Sequence, residues 1–379
     1  MNFKITKKEL LDVMQKAYPL VPLKSTLQIL SNFKISFNNS NLEIAATDLD
    51  HSIKAQCTVA GEGSFRIIVN ARKIFDVVRE LPDGDVYIRV KDSVFIIESE
   101  KGFTCKLAGA DAADFPSFPE MEIKKEIELD SAVLAEMTTK SGFAVSRDES
   151  RACLCGILWE LDKGRMGMVA TDGHRLGSSA ISGTFGIEEK TSIIVSPKTL
   201  QHIVKISSES SGQKRISAQI GDKYIIFSTE AFRLCSKLID GPYPDYRKVI
   251  PIDNPRKAVI QRDLLMNAVK RVSVLSNQKT NLVKFSFNKN LLELVVLNRD
   301  IGGEAREVVP VEYAGNEHTI GFNGQYLNEI AGIIATPRIS MEMNTQISAC
   351  LLFPYYEEKT KKTSDDLFLI MPLKIMEEM

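Results

Sequence analysis

ATDLD (46–50), ATDGH (170–174) and VLNRD (296–300) are three versions of one short segment, spaced 124 and 126 residues apart. Each ends a β-hairpin. Before the first, Phe33, Ile35 and Phe37 alternate with polar residues, NNSN turns the chain, and Leu42, Ile44 and Ala46 return. Before the third, Val283, Phe285 and Phe287 lead through NKN to Leu292, Leu294 and Val296; the second has GILWEL, a DKGR turn and MGMVA. Alternation of apolar and polar residues is the two-residue period of a half-buried strand, and Asn, Asp and Gly supply the turns. A long self-similar period sets the fold before any local feature does.

Upstream of every hairpin a short strand runs into an amphipathic helix: FKITKKELLDVMQKAY from Phe3, EIELDSAVLAEMTTKSGFAV from Glu126 and KAVIQRDLLMNAVKRVSVL from Lys257. Leu10, Val13, Met14 and Ala17 fall on one helix face. Asp130 and Asp263 stand near the starts of the later two, where a carboxylate can cap free amides. Downstream the plan repeats in FRIIVNARKIFDVVREL, TSIIVSPKTLQHIVKI and HTIGFNGQYLNEIAGII, followed by strands such as VYIRV, VFIIES and FTCKLA. The expected fold class is α+β: three similar domains, each two β-α-β-β-β halves, with helices near 6–18, 70–81, 130–146, 196–207, 261–274 and 323–335. Prolines mark connectors at Phe115–Lys125 and Gly241–Arg256, giving expected domains at 1–122, 123–253 and 254–379. KTKKTSDD (359–366) reads as a flexible loop between two late strands.

The 379 residues are 44% hydrophobic and 26% charged, the composition of a soluble globular protein. The opening MNFKITKKELLDVMQKAY has no apolar core of a signal peptide, and no run is long enough to span a membrane, so a cytoplasmic protein is expected. Six cysteines at 57, 105, 153, 155, 235 and 350 lack metal or disulfide spacing and read as reduced, packed thiols.

Chemistry is hard to find. Gly61-x-Gly63 lacks a third glycine, and GxxxxGK[ST], HExxH and GxSxG are all missing from the sequence. Asp48, Asp50, Asp172 and His174 recur at matching hairpin ends, which points to turn capping rather than metal ligation. No catalytic residue, metal or cofactor is expected. Net charge is −1, yet the helices sum to roughly +4 and the remainder to roughly −5. If the helices share one surface, Lys8, Lys16, Arg72, Lys73, Arg79, Lys140, Lys198, Lys205, Lys270 and Arg271 would meet phosphates without reading bases. Solvated helix faces carry similar charge in proteins that bind no nucleic acid.

Specific motifs then enter. Ala170-Thr-Asp-Gly-His-Arg-Leu176 resembles a segment of the bacterial replicative sliding clamps, the β subunits of DNA polymerase III. Tyr243-Pro-Asp-Tyr-Arg-Lys-Val-Ile-Pro251, Ile370-Met-Pro-Leu-Lys-Ile375, ADFP (113–116) and LSNQK (275–279) resemble further segments of that family, in order along essentially the whole chain.

The resemblance implies a head-to-tail homodimer closing into a six-domain ring, helices lining the hole, around double-stranded DNA of any sequence. It implies as partners the DNA polymerase III catalytic subunit, a separate ATP-driven clamp loader and other proteins carrying clamp-binding motifs. The family's pocket for a short linear peptide maps by motif to Arg151, Leu154, Thr171, Gly173, His174, Arg175, Leu176, Pro244, Lys248, Val249, Asn323, Tyr326, Ile370, Met371, Pro372 and Leu373. In that mapping Leu154, Leu176, Val249, Ile370 and Met371 bury peptide side chains, while Arg151, Arg175 and Asn323 fix orientation. Lys24 matches a basic residue that touches DNA. Lys73, Cys105 and Leu107 would meet Val274 and Leu275 of the other subunit.

The chain departs from the family where Ala152 and Cys153 replace two tyrosines, Asp148 replaces a glutamine, and Lys248 and Lys374 replace arginines without their planar fork. Met376–Met379 extends beyond the usual end. Two other readings compete: a repeat scaffold that binds linear peptide motifs but no DNA, and a metal-dependent hydrolase built on Asp172 and His174.

Overall fold

The computed structural model describes residues 2–209, 215–357 and 364–375. Among these stand six α-helices: α1 (Lys7–Ala17), α2 (Ala71–Glu80), α3 (Ser131–Gly142), α4 (Pro197–Glu209), α5 (Arg262–Ser273) and α6 (Gly324–Ile333). Each is followed by three strands and preceded by one, so the β-α-β-β-β half occurs six times. Two short strands, Ala60–Glu62 and Glu312–Tyr313, are additions to the plan.

Local chemistry explains where helices begin. Thr6 Oγ1 accepts from Glu9 N at 3.2 Å while the Glu9 carboxylate accepts from Thr6 N at 3.3 Å, a reciprocal box that opens α1. Asn70 caps α2 through Lys73 N, and Asp130 accepts from Ala132 N at the start of α3. Asp263 does not cap α5; it lies inside the first turn, paired with Arg262, and Gln261 at the cap makes no side-chain bond.

Two compact units form, one from residues 1–134 with 198–238, the other from 135–197 with 239–379. The second repeat is therefore shared between them. In the first unit a thirteen-stranded antiparallel sheet runs from Lys125–Asp130 at one edge to Ala60–Glu62 at the other. Inside it His51–Thr58, from the first repeat, pairs with Phe232–Lys237, from the second. Phe33, Phe37, Phe95, Phe227 and Phe232 are wholly buried here, each worth about 1.5–3 kcal/mol of transfer free energy.

The second unit holds a nine-stranded and a four-stranded sheet. The larger is continuous because Arg175–Ser182 of the second repeat pairs with Asp365–Ile370 of the third. The smaller packs α5 and α6 over Phe285, Phe287, Leu294 and Phe322. Of the expected loop 359–366, residues 359–363 lie outside the described residues, while Asp365 and Asp366 belong to a strand. Asp366 is buried: it accepts from Ser179 Oγ and Lys140 Nζ, each at 2.7 Å, an attachment a polar sequence stretch does not reveal. Among the described residues no helix is long and apolar enough to cross a membrane.

Candidate functional site

The turn 170–176 is built by Asp172. Its carboxylate accepts from His174 N at 2.8 Å and from Arg175 N and Nε at 3.0 and 3.1 Å. Thr171 Oγ1 donates to Arg175 O and accepts from Gly173 N. Gly173 sits at φ +91°, a conformation that side chains disfavour, and exposes its backbone at the surface. Asp172 is thus occupied by the turn itself, and among the described residues no cluster of three or more metal-ligating side chains occurs.

Arg175 is buried. Its guanidinium lies 4.2 Å from the ring centre of Tyr326 and 5.4 Å from that of Phe143, and it is ion-paired with Asp172 and Glu329. Held in this way, Arg175 anchors the turn from beneath, with one-tenth of its side chain left accessible. Leu154, Leu176 and Ile370 are likewise buried and form the floor. Asn323 Oδ1 is committed to Gln325 N and Tyr326 N at the start of α6.

The remaining residues stay accessible. Gly173, His174, Pro244, Lys248, Arg151 and Val249 (54% exposed) lie at the surface, and Thr171, Tyr326, Met371, Pro372 and Leu373 are half-buried. Backbone bonds hold the last segment against the turn: Met371 N donates to His174 O at 2.8 Å, and Leu373 N to Gly321 O at 2.8 Å. Arg151 reaches across with Nη2 3.3 Å from Asp172 O.

Under this surface lies an apolar cluster of Leu158, Val169, Leu176, Ala349, Leu351 and Leu369, edged by half-buried Cys153, Tyr243, Tyr246 and Met371. Sequence reasoning missed Tyr243, whose hydroxyl accepts from Thr171 N at 3.1 Å, and whose burial pushes its pKa up. It also missed Glu160. Burial opposes ionisation there, but bonds from Arg247 (2.7 Å) and Tyr246 (2.8 Å) hold its carboxyl below the usual range. These contacts clamp the connector 241–251 onto the sheet. The aromatic pair Tyr243 and Tyr246, in a stretch otherwise dominated by proline and charge, was the available signal. A cleft of about 440 Å³ continues along the same face past Tyr246 and Phe353.

The basic candidates separate into groups. Lys8, Lys24, Arg72, Lys205 and Lys270 are exposed, and Lys24 follows the fully exposed Leu23. Arg79, Lys198 and Arg271 are exposed but paired, with Asp76 and Glu80, Asp48, and Glu307. Lys16 and Lys140 are corrected. Lys16 is buried and bonded to Asp12; Lys140, nearly as buried, bonds Glu136 and Asp366, and these contacts hold its pKa up against burial. Neither ammonium is free for a phosphate. Of the remaining candidates, Lys73 is exposed, Cys105, Leu107 and Leu275 are half-buried, and Val274 is 80% exposed.

A β-α-β-β-β pair occurring three times along one chain is the architecture of a sliding clamp. Family models of the DNA polymerase III beta subunit match the chain in three pieces: N-terminal domain over 1–119, central domain over 128–245 and C-terminal domain over 247–367. The beta sliding clamp of Caulobacter vibrioides is 31% identical over 386 aligned positions, covering 99% of this chain and all of that one. That of Pseudomonas aeruginosa is 28% identical with the same coverage. A crystal structure of the Pseudomonas aeruginosa DNA polymerase III subunit beta superposes with a TM-score of 0.90 over 99% of this chain and all of that one, at 27% identity. The chain belongs to the DNA polymerase III beta subunit family, the beta sliding clamps.

Proposed function

We propose that this chain is the protomer of a homodimeric ring that encircles duplex DNA and tethers the replicative polymerase, a non-catalytic processivity factor of the bacterial cytoplasm. The agreement of all three domains with one clamp family, end to end, carries this reading. Tethering works by effective concentration: a polymerase held on a ring that cannot leave the duplex rebinds the primer end far faster than one in solution. Lys8, Lys24, Arg72, Lys205 and Lys270 are the residues we assign to phosphate contact, sequence-independent and weakened by salt.

The surface around Gly173, His174, Val249, Tyr326 and Met371 is assigned to a short linear peptide of the polymerase catalytic subunit, the clamp loader or another partner. An apolar floor with an accessible polar rim suits a hydrophobic peptide end. Lys73, Cys105 and Leu107 are assigned to the ring joint opposite Val274 and Leu275 of a second copy. Loaded by a clamp loader onto nicked circular DNA, the protein should remain bound through gel filtration and be lost once the circle is linearised. Retention on the linear product would reject encirclement.

A further inference from the structure

The strand Arg175–Ser182 starts under the surface assigned to the peptide and runs out to a place where the sheet is left uncovered. Leu176, Ser178 and Ala180 share its outer face, two residues apart. Its neighbours shrink in the same direction. On one side Val169 stands opposite Ser178 and Gly167 opposite Ala180. On the other, Leu369 stands opposite Leu176 and Leu367 opposite Ser178. The floor therefore passes from leucine and valine to glycine and alanine over roughly 14 Å, the rise of four strand residues.

These small residues form the bottom of the cleft of about 440 Å³. Tyr246 and Ile250 of the connector stand on one side, Phe353 and Leu367 of the third repeat on the other. The same four side chains edge the apolar cluster that contains Leu176 and Leu369, so the cleft and the assigned surface share one apolar strip. The walls do not close over the floor. A Cβ on Gly167 would meet only Ala180 Cβ at 3.6 Å and Ser179 O at 3.9 Å. Charge around the cleft is balanced: Glu160, Asp162 and Asp365 face Arg165, Lys190 and Arg247. Asp366 also borders it, but its carboxylate is bonded to Ser179 and Lys140. A balanced rim gives no pull on phosphate, so an apolar group suits this cleft better than nucleic acid.

Resting on the peptide reading above, we propose that the cleft receives the partner chain where it continues past the hydrophobic end of its linear motif, seating one aromatic side chain over Gly167 and Ala180. A ring there lies between Tyr246 and Phe353, and aromatic anchors in desolvated pockets carry much of the binding free energy of small interfaces. An extended chain advances about 3.4 Å per residue, so the ring belongs about four residues beyond the end of the motif. Partners that stop at the motif use the assigned surface alone; partners that run on gain a second anchor. The cleft thereby ranks ligands that share one motif.

A peptide scan reads this directly. The clamp-motif peptide of the polymerase catalytic subunit, fluorescently labelled, is extended past its hydrophobic end by six Gly and Ser residues, with one Phe moved through positions two to six. Anisotropy should show at least fivefold tighter binding, relative to the extension without Phe, at one or two adjacent positions near the fourth. Gly167→Leu and Ala180→Leu fill the cleft from its floor; each should erase that gain and leave the unextended peptide within twofold of the parent. No gain at any position, an equal gain at all of them, or a gain that survives both substitutions would overturn the cleft as the second anchor while leaving the peptide reading intact. Failure of the unextended peptide to bind the parent protein would overturn the peptide reading itself.

Discussion

The Arg175 guanidinium stacks on Tyr326 at 4.2 Å while its edges are ion-paired to Asp172 and Glu329, so one side chain ties the turn 171–176 to helix α6. Arg175 comes from the second repeat and Tyr326 from the third. Planarity is what allows both a stacked face and two bonded edges.

Arg175→Lys should therefore fail as a conservative change. Loss of the stack and of the fork, with Asp172 left half-satisfied in a buried place, should cost about 2–4 kcal/mol. Urea unfolding would show a lower midpoint, and peptide affinity would fall with it. His174→Ala, at the exposed tip of the same turn, should weaken peptide binding in fluorescence anisotropy and leave the unfolding midpoint unchanged. Equal stability of both variants would remove Arg175 from its anchoring role.

Lys140 and Asp366 supply a second test. Removing one partner leaves a buried charge, so Lys140→Met should destabilise the protein by about 3 kcal/mol or more, whereas Lys140→Met with Asp366→Leu should recover most of the loss. Neither variant should change the salt dependence of retention on DNA. Lys24→Ala and Lys270→Ala should lower the slope of log affinity against log salt, each by about one charge, without changing stability.

These outcomes turn on features that a helical pattern could not disclose. The six helices and three hairpins were legible because periods of 3.6 and 2 survive divergence, and the repeat multiplied each signal by three. Burial of Lys16 and Lys140 was not, because a helix face looks solvated until another element covers it. Both lysines stand ten residues after the residue that opens their helix, Thr6 or Asp130, and Arg271 stands ten after Gln261. Superposing the repeats by cap would have marked that position as special. The ATDGHRL motif located the turn and gave Arg175 an orienting role, but motif matching carries no burial and could not show the residue lying beneath the turn. Leu351 lay outside every motif, and Tyr243, which opens the motif 243–251, was given no role of its own; both became visible only through what they touch.

Acidification should loosen the first unit. His202 is buried, its Nε2 donating to Lys16 O at 2.8 Å, and burial lowers its pKa from 6.5 to about 4. A depressed folded value means the unfolded chain takes up the proton first. The contribution is complete above pH 6.5 and is lost as pH falls through the window down to about 4, amounting to up to about 3 kcal/mol. Asp48 adds to the loss below that window, since His51 and Lys198 hold its carboxyl well under the usual range despite burial. Unfolding free energy measured from pH 7.5 to 4.5 should fall, and His202→Gln should flatten the slope between 6.5 and 4.5. An unaltered slope would assign the acid sensitivity elsewhere.

Gly321 carries the final segment. A Cβ there would stand 2.7 Å from Leu373 O, 2.8 Å from a Leu282 methyl and 3.0 Å from Ile375. The first of these is backbone and cannot rotate away, so Gly321→Ala must push residues 371–375 off the strand His318–Asn323. Breaking the Leu373–Gly321 bond releases the segment whose Met371 is bonded to His174 O, and with it one wall of the surface proposed for the peptide. Overpacking of this kind costs about 1–3 kcal/mol, too little to unfold a domain but enough to misplace a wall. Gly321→Ala should bind a fluorescent peptide from a polymerase partner at least tenfold more weakly, while sedimentation still gives a dimer. Peptide affinity within twofold of the parent would mean that residues 371–375 are not part of the binding surface.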